Sequence, residues 1–192
     1  MYCPTFPQLI FQICYHPFMR YHVCPRTIEM RGPNGAASFF CDPGSNNPFV
    51  GFPRLPLASI RRFRLDIHGW ELFRLSPDPV VFQHMSSFPA LETFTVERET
   101  DLSLIHSALL LNLSVSPTLK ILAFVDCVLI EGFMKELTQF AFDRKNTTSA
   151  WLDRVVIIHR GGILPDIASV RGLEEHVPVV DVRTGAELPA EL

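Results

Sequence analysis

The stretch LKILAFVDCVL, residues 119–129, decides the fold of this chain. Its apolar residues follow the spacing L-x-x-L-x-L-x-x-C-x-L, and they are Leu119, Leu122, Phe124, Cys127 and Leu129. Alternation of apolar and polar residues with period two is typical of a β-strand. Both a single buried strand and one turn of a repeating coil fit this spacing, so the rest of the chain must distinguish them.

The first three apolar positions of this frame recur along the chain at intervals of 25 to 33 residues. The other copies are Ile60, Phe63 and Leu65; Leu91, Phe94 and Val96; Leu152, Val155 and Ile157; and, more loosely, Val177, Val180 and Val182. Proline lies two residues before the first apolar position at Pro89 and Pro117. Internal repeats of this period are the sequence signature of stacked repeat proteins.

Between the copies the apolar period changes from two to about 3.6, which is typical of helices. The expected helical stripes are Ile105, Ala108 and Leu109, after an N-cap at Thr100 or Asp101; Phe133, Leu137, Phe140 and Ala141; and Ile163, Ile167 and Val170, with Pro165 in the first turn. Strands and helices that alternate over residues 58–184 predict an α/β fold with parallel strands, because each helix returns the chain to the same end of the sheet.

Two architectures share this alternation. A doubly wound sheet buries both faces of its strands and favours continuous runs of Val and Ile. Here polar residues separate the apolar positions, as at Arg62 and Arg64 in one copy and Thr93 and Thr95 in the next. This pattern favours a sheet with one buried face and one face in water, which suits a solenoid.

The frame resembles the leucine-rich repeat, most closely its ribonuclease-inhibitor-like or cysteine-containing forms. Residues 119–145 carry the resemblance, and the other copies have His68, Glu99, Arg160 and Gly185 where Cys or Asn belongs. The resemblance implies a short solenoid with a curved parallel sheet and outer helices, with Cys127 as a buried thiol. The irregular repeats also look like those of fungal F-box-type proteins.

In such a solenoid the residues between the apolar positions line the open face of the strands. The residues expected to bind a partner protein there are Arg62, Arg64, Glu97, Lys120, Ile121, Val125, Arg154, Val156, Ile158 and His159. An apolar strip, defined as Ile121, Ala123, Val125, Val156 and Ile158, has the composition of a protein-binding patch because charged residues surround it. Alternatively, a C-terminal segment or another copy of the protein covers the strip.

Residues 1–57 do not keep the frame. We expect them to form an irregular, proline-rich segment or partial cap before the repeat domain at 58–192, and 27–30 fits a strand of a degenerate first repeat. FPQLIFQICYHPF is loosely similar to the first helix of an F-box.

The residues Cys14, His16, His22 and Cys24 match a zinc clip, but their spacing is tighter than in most zinc sites, so we predict no metal and no cofactor.

The remaining features narrow the class of protein. A net charge of −3 argues against broad nucleic-acid binding, and no apolar run is long enough to cross a membrane. An odd number of cysteines and the lack of a basic start before the first apolar run favour an intracellular location. Motifs of hydrolases, metalloproteases and nucleotide-binding enzymes are missing from the sequence. We therefore expect a non-catalytic protein-interaction module; the alternatives are the substrate-recognition part of an F-box-type ubiquitin ligase or a small zinc-stabilised protein.

Overall fold

The computed structural model describes residues 8–13, 26–32, 35–41, 60–67, 88–97, 116–127, 129, 131–147, 151–159 and 164–185. The strands are β1 (Gln8–Ile13), β2 (Arg26–Gly32), β3 (Gly35–Cys41), β4 (Arg62–Ile67), β5 (Thr93–Glu97), β6 (Ile121–Val125), β7 (Arg154–His159) and β8 (Val179–Thr184). The helices are α1 (Glu131–Thr147), between β6 and β7, and α2 (Ile167–Glu174), between β7 and β8.

The described strands form one sheet in the order β3-β2-β1-β4-β5-β6-β7-β8. Strands β4 to β8 run parallel to one another, and β1 extends this parallel series beside β4. Strands β2 and β3 are antiparallel to their neighbours. The prediction of an α/β fold with parallel strands at the five copies of the frame is confirmed.

The register of the parallel strands aligns the copies of the apolar frame residue by residue. The second apolar positions form one row, and its members are Phe63, Phe94, Leu122, Val155 and Val180. The third positions form the next row on the same face, namely Leu65, Val96, Phe124, Ile157 and Val182. From β5 to β7 both rows are buried, whereas Val180 and Val182 in β8 are half-buried. The first positions are buried from Ile60 to Val177. Neighbouring copies therefore bury their apolar side chains against each other, as repeats must.

A repeated hydrogen-bond pattern precedes β5, β6 and β7 and sets their register. The carbonyl oxygen of Arg61 accepts the N–H groups of Glu92 at 2.8 Å and Thr93 at 2.9 Å. One strand further, the carbonyl oxygen of Glu92 accepts two N–H groups, from Lys120 at 2.9 Å and Ile121 at 3.0 Å. The carbonyl oxygen of Lys120 does the same for residues 153 and 154.

Aromatic side chains fill the core on the frame side of the sheet. The Phe63 ring stacks on Phe88 with centroids 5.3 Å apart and lies 5.5 Å from Phe94. Phe124 meets the helical residue Phe133 edge to face at 5.1 Å. These contacts join the turn before β5, strands β4 to β6 and helix α1 into one core.

Helix α1 forms where the sequence predicts its second stripe. All four stripe residues are buried, namely Phe133, Leu137, Phe140 and Ala141. Glu131 lies in the first turn and Arg144 and Lys145 in the last, which complements the helix dipole. The stripe at 105–109 lies outside the described residues.

Helix α2 is also present, but its buried side differs from the predicted stripe. Ile167 is 73% exposed, and Leu173 is the buried residue of the helix. Asp166 is the N-cap, and its carboxylate accepts the N–H of Ser169 at 2.9 Å, so Pro165 lies before the helix and not in its first turn. The prediction of an inward-facing Ile167 is wrong: Ile167 is the first residue of the helix, and the buried contact lies near the other end, at Leu173.

The segment 1–57 contributes three strands. Leu9 and Phe11 of β1 pair in register with Phe63 and Leu65, so this stretch continues the frame one strand beyond the copies found in the sequence. Since Gln8–Ile13 is a strand, its interpretation as an F-box helix is wrong. Residues 27–30 are a strand as expected, but β2 is antiparallel to β1 and does not belong to the parallel series.

Substitution of Leu122 tests whether neighbouring copies share one core. Leu122 is fully buried between neighbouring copies, whereas Lys120, two residues earlier, is exposed. Leu122→Ala should lower the free energy of unfolding by about 2–5 kcal/mol, as large-to-small core changes do. Lys120→Ala should change it by less than about 0.5 kcal/mol. Chemical denaturation of both variants measures this, and equal losses would contradict the assignment of inward and outward positions.

Candidate functional site

The candidate site is the second face of the sheet, opposite the frame. The register places its residues in three rows: Arg62, Thr93, Ile121, Arg154 and Val179; Arg64, Thr95, Ala123, Val156 and Asp181; and Asp66, Glu97, Val125, Ile158 and Arg183. The residues that the sequence places in rows are therefore aligned across neighbouring strands. Strand β8 extends them by one residue each.

The second face is closed where the sequence predicts an open one. Ala123, Val125, Val156 and Ile158 form a cluster with no exposed surface, and Ile121 packs against it half-buried. Every residue of β5 is buried as well, including Thr93 and Thr95. The apolar strip is covered, so the prediction of a wet second face is wrong for β5 to β7. Burial of both faces of these strands is the feature expected of a doubly wound sheet, so the polar residues between the apolar positions do not favour a solenoid here. The C-terminal segment that the alternative would place on the strip, from residue 186 onward, lies outside the described residues.

Of the ten expected partner-binding residues, five are buried: Glu97, Val125, Val156, Ile158 and His159. Arg62, Arg64, Ile121 and Arg154 are half-buried, and Lys120 is exposed. The sheet brings these residues close together. Most lie on the second face, and Lys120 and His159 lie at the ends of strands next to it. Only the half-buried and exposed members offer surface to another molecule.

An ion pair closes the face on the β4–β5 side. Arg64 donates two hydrogen bonds to one carboxylate oxygen of Glu97, and the bond from Nε measures 2.8 Å. The Glu97 side chain is only 4% exposed. A buried carboxylate needs such a partner because an unpaired charge is costly to remove from water.

A second group of charges borders the strip on the β8 side. Arg154 donates a hydrogen bond of 2.6 Å to Asp181, and Arg183 donates two, from Nε at 2.7 Å and from its terminal nitrogen at 2.6 Å. The pKa of the Asp181 carboxyl lies below its usual value, first because of the bonds from Arg183 and then because of the bond from Arg154. This triad is more exposed than the Arg64–Glu97 pair.

His159 ends β7 in a buried position. Its side chain is 4% exposed, and within the described part of the chain Nε2 makes no hydrogen bond. Burial lowers the pKa of this imidazole below its ordinary value of 6.5, and the charge of Asp126 opposes that shift. Folding therefore favours the neutral form of the ring relative to the unfolded chain.

Charged residues lie at the amino-terminal ends of the strands, next to the second face. We call them the strand-start row, which comprises the exposed Arg61, Lys120 and Asp153 and the half-buried Glu92. Their main chains are hydrogen-bonded in sequence, and Arg61 and Glu92 also form an ion pair at 3.5 Å. Trp151 lies two residues before Asp153 and is 56% exposed. The row thus alternates positive and negative charges beside a large exposed aromatic ring.

A groove of about 750 Å³ separates the two helices. Met134, Thr138 and Phe142 line it from α1, and Gly172 and His176 from the α2 side. Its charged side chains make local contacts: Lys135 pairs with Glu131 at 2.7 Å, and the Asp166 carboxylate caps α2. We find in this groove no pairing of a nucleophile with a base among the described residues.

Two buried polar groups stabilise the repeat that carries the strongest match to the frame. The Cys127 thiol lies 3.5 Å from the carbonyl oxygens of Val96 and Val125, which confirms its expected burial in the turn after β6. Arg144 was not apparent as a structural residue from sequence. Its guanidinium reaches from the end of α1 to the carbonyl oxygens of Ser116 and Leu119, and burial lowers its pKa.

The structure tests a metal site and a membrane-spanning helix only within the described residues. Cys14, His16, His22 and Cys24 lie outside the described residues. Among the residues described, no group of three or more His, Cys, Asp or Glu side chains is arranged to hold a metal ion. No helix in the same ranges has the length and apolar character needed to cross a membrane.

Comparison of the chain with protein-family models, with curated proteins and with solved structures found no match.

The closed second face predicts a large cost for a buried charge. Val156→Asp should lower the free energy of unfolding by more than about 3 kcal/mol, because the new carboxylate enters an apolar cluster without a partner. Val179→Asp is the matched control: it lies on the same face but is 47% exposed, and should cost about 1 kcal/mol or less. Equal denaturation midpoints for the two variants would show that the strip is open to water.

Burial of His159 predicts a loss of stability in acid. The unfolded imidazole takes up a proton near its ordinary pKa of 6.5, whereas the native imidazole does so only at lower pH. The free energy of unfolding should therefore fall as the pH drops below 6.5. His159→Gln removes this component, so the difference between wild type and variant should depend on pH in that range. A pH-independent difference in urea denaturation would rule out a depressed pKa.

Proposed function

We propose that this chain is a non-catalytic protein-interaction module built from stacked copies of one strand frame, similar to a short leucine-rich-repeat solenoid except that the second face of its central strands is covered. The observation that carries the proposal is the constant register of five parallel strands, β4 to β8, in which equivalent apolar residues meet row by row. The doubled hydrogen bonds to the carbonyl oxygens of Arg61, Glu92 and Lys120 repeat with the same spacing. Stacked repeats of this kind offer extended surfaces for binding other proteins.

The surface best suited to a partner is the strand-start row with Trp151, rather than the apolar strip. The strip is covered, whereas the row keeps charged side chains in water. An exposed aromatic ring close in sequence to the last charge of the row has the composition of a binding hot spot, because the ring can supply buried area and the charges can select the partner. Of the ten residues expected from sequence, Lys120 lies in this row.

The chemistry of the row indicates a protein partner. Its charges alternate in sign, so it lacks the continuous positive field that the phosphates of nucleic acid require. A partner with acidic and basic side chains in the opposite order fits it. Nothing in the described residues favours the F-box alternative over this simpler interaction module.

Paired substitutions on opposite sides of the protein test the proposal. Lys120→Glu combined with Trp151→Ala should abolish recovery of a partner protein from extracts of cells that express the chain, because both the charge match and the aromatic anchor are lost. The control combines Lys135→Glu with Ile167→Ala, which makes the same kinds of change at exposed helical positions. Mass spectrometry compares the captured proteins.

All four positions are exposed, so melting temperatures should stay close to that of the wild type. A partner recovered equally by both double variants would move the binding site away from the strand-start row. A partner lost only from the control would place it on the helices.

A further inference from the structure

The last strand, β8, presents an edge with a distinctive pattern. Among the described strands it pairs with β7 on one side and with none on the other. Its residues are half-buried or exposed, with Val179 47% exposed. An edge strand carries outward N–H and C=O groups that another strand can bind.

The hydrogen bonds show which residues of β8 face outward. The N–H of Gly185 donates to the carbonyl oxygen of His159 in β7 at 2.8 Å. In a parallel pair, alternate residues direct both main-chain groups to the same neighbour. Residues 179, 181 and 183 therefore face β7, and the main-chain groups of Val180, Val182 and Thr184 face away from it.

We propose that β8 pairs with β8 of a second copy of this chain, antiparallel, about a two-fold axis at Val182. In this register Val182 lies opposite its own counterpart, and Val180 lies opposite Thr184. These are the outward residues, so each would exchange N–H and C=O groups with the partner strand as a hydrogen-bonded pair. The two sheets would join into one.

The charges on β8 fit this register. Asp181 of one copy lies opposite Arg183 of the other, in the closely spaced pairs that lie between the hydrogen-bonded ones. The two-fold axis creates this contact twice. Opposite charges directly across an antiparallel pair are stabilising, and like charges are destabilising.

The two neighbouring registers are less favourable, both for the charges and for the hydrogen bonds of the outward residues. A shift that brings Val180 opposite Val182 places Asp181 against Asp181, and the shift in the other direction places Arg183 against Arg183. Either shift also leaves an outward residue unpaired. The sequence VVDVRT is therefore self-complementary in one antiparallel register. This inference concerns the sheet edge and does not rest on the proposed function.

Charges can also act as protection, since natural proteins place them on edge strands to prevent pairing. The oligomeric state of the 192-residue chain distinguishes the two roles. Sedimentation velocity over a wide range of concentration should show a reversible monomer–dimer equilibrium. The contact between two short strands is small, so we expect a weak dimer. A monomer at every concentration would overturn the proposal.

Charge reversal tests the register. Asp181→Arg makes both positions positive and Arg183→Asp makes both negative, so each variant alone should dimerise about tenfold more weakly than the wild type or not at all. A mixture of the two variants should dimerise again, because each cation then lies opposite an anion. Arg171→Asp, an exposed charge reversal on α2, should leave the dimer unchanged. A mixture that stays monomeric while the wild type dimerises would overturn the register.

Val182→Pro gives an independent test that leaves the charges intact. Its N–H faces away from β7, so proline removes a donor from the proposed interface and none from the β7–β8 pair. The variant should be a folded monomer by circular dichroism and sedimentation. A dimer as strong as that of the wild type would place the contact elsewhere on the protein. If Asp181→Arg fails to fold for loss of its bond from Arg154, Val182→Pro and Arg183→Asp decide the question.

Discussion

The register of β5, β6 and β7 depends on one carbonyl oxygen in each preceding strand, that of the residue directly before the first paired residue of β4, β5 and β6. Arg61, Glu92 and Lys120 each accept two N–H groups from the chain that enters the following strand. An acceptor that holds two consecutive donors leaves no freedom to slip by a residue, and a slip of one would turn every side chain to the other face. The alignment of the apolar rows, the shared core and the position of the exposed charges all follow from this constraint.

Much of the frame side of the sheet can be predicted from sequence because burial there follows a local rule. Residues such as Leu91, Phe94 and Val96 repeat with one spacing, and only one register lets their equivalents meet. Leu9 and Phe11 of β1 continue the same spacing in register with Phe63 and Leu65, but β1 lies farther from β4 along the chain than the other copies lie from each other. The antiparallel strands β2 and β3 occupy that interval, and a search for a regular period passes over it.

The second face cannot be predicted in the same way because its burial rests on distant pairing. Thr93, Thr95 and Glu97 look like solvent-facing residues, yet all three are buried. Glu97 is tolerated inside because Arg64, 33 residues earlier, reaches its carboxylate. A charged residue in an alternating pattern therefore does not indicate a wet face where another strand supplies its partner. No such partner explains Thr95, whose hydroxyl is buried without a hydrogen bond among the described residues. For the candidate site this means that the rows were predictable and their exposure was not.

Exposure on the second face rises from the middle of the sheet toward β8, and this gradient places the available surface at the margins. Glu97 is almost fully buried, the Asp181 side chain is 18% exposed, and that of Arg183 is 42% exposed. Central strands of a parallel sheet are commonly covered on both faces, which leaves their ends and the edge strand to meet other molecules. The same hydrogen-bonded register that closes the core thus orders the two surfaces that stay open. Along the strand starts it sets charges of alternating sign side by side, and along β8 it sets Asp181 and Arg183 on one face, spaced to match a copy of themselves.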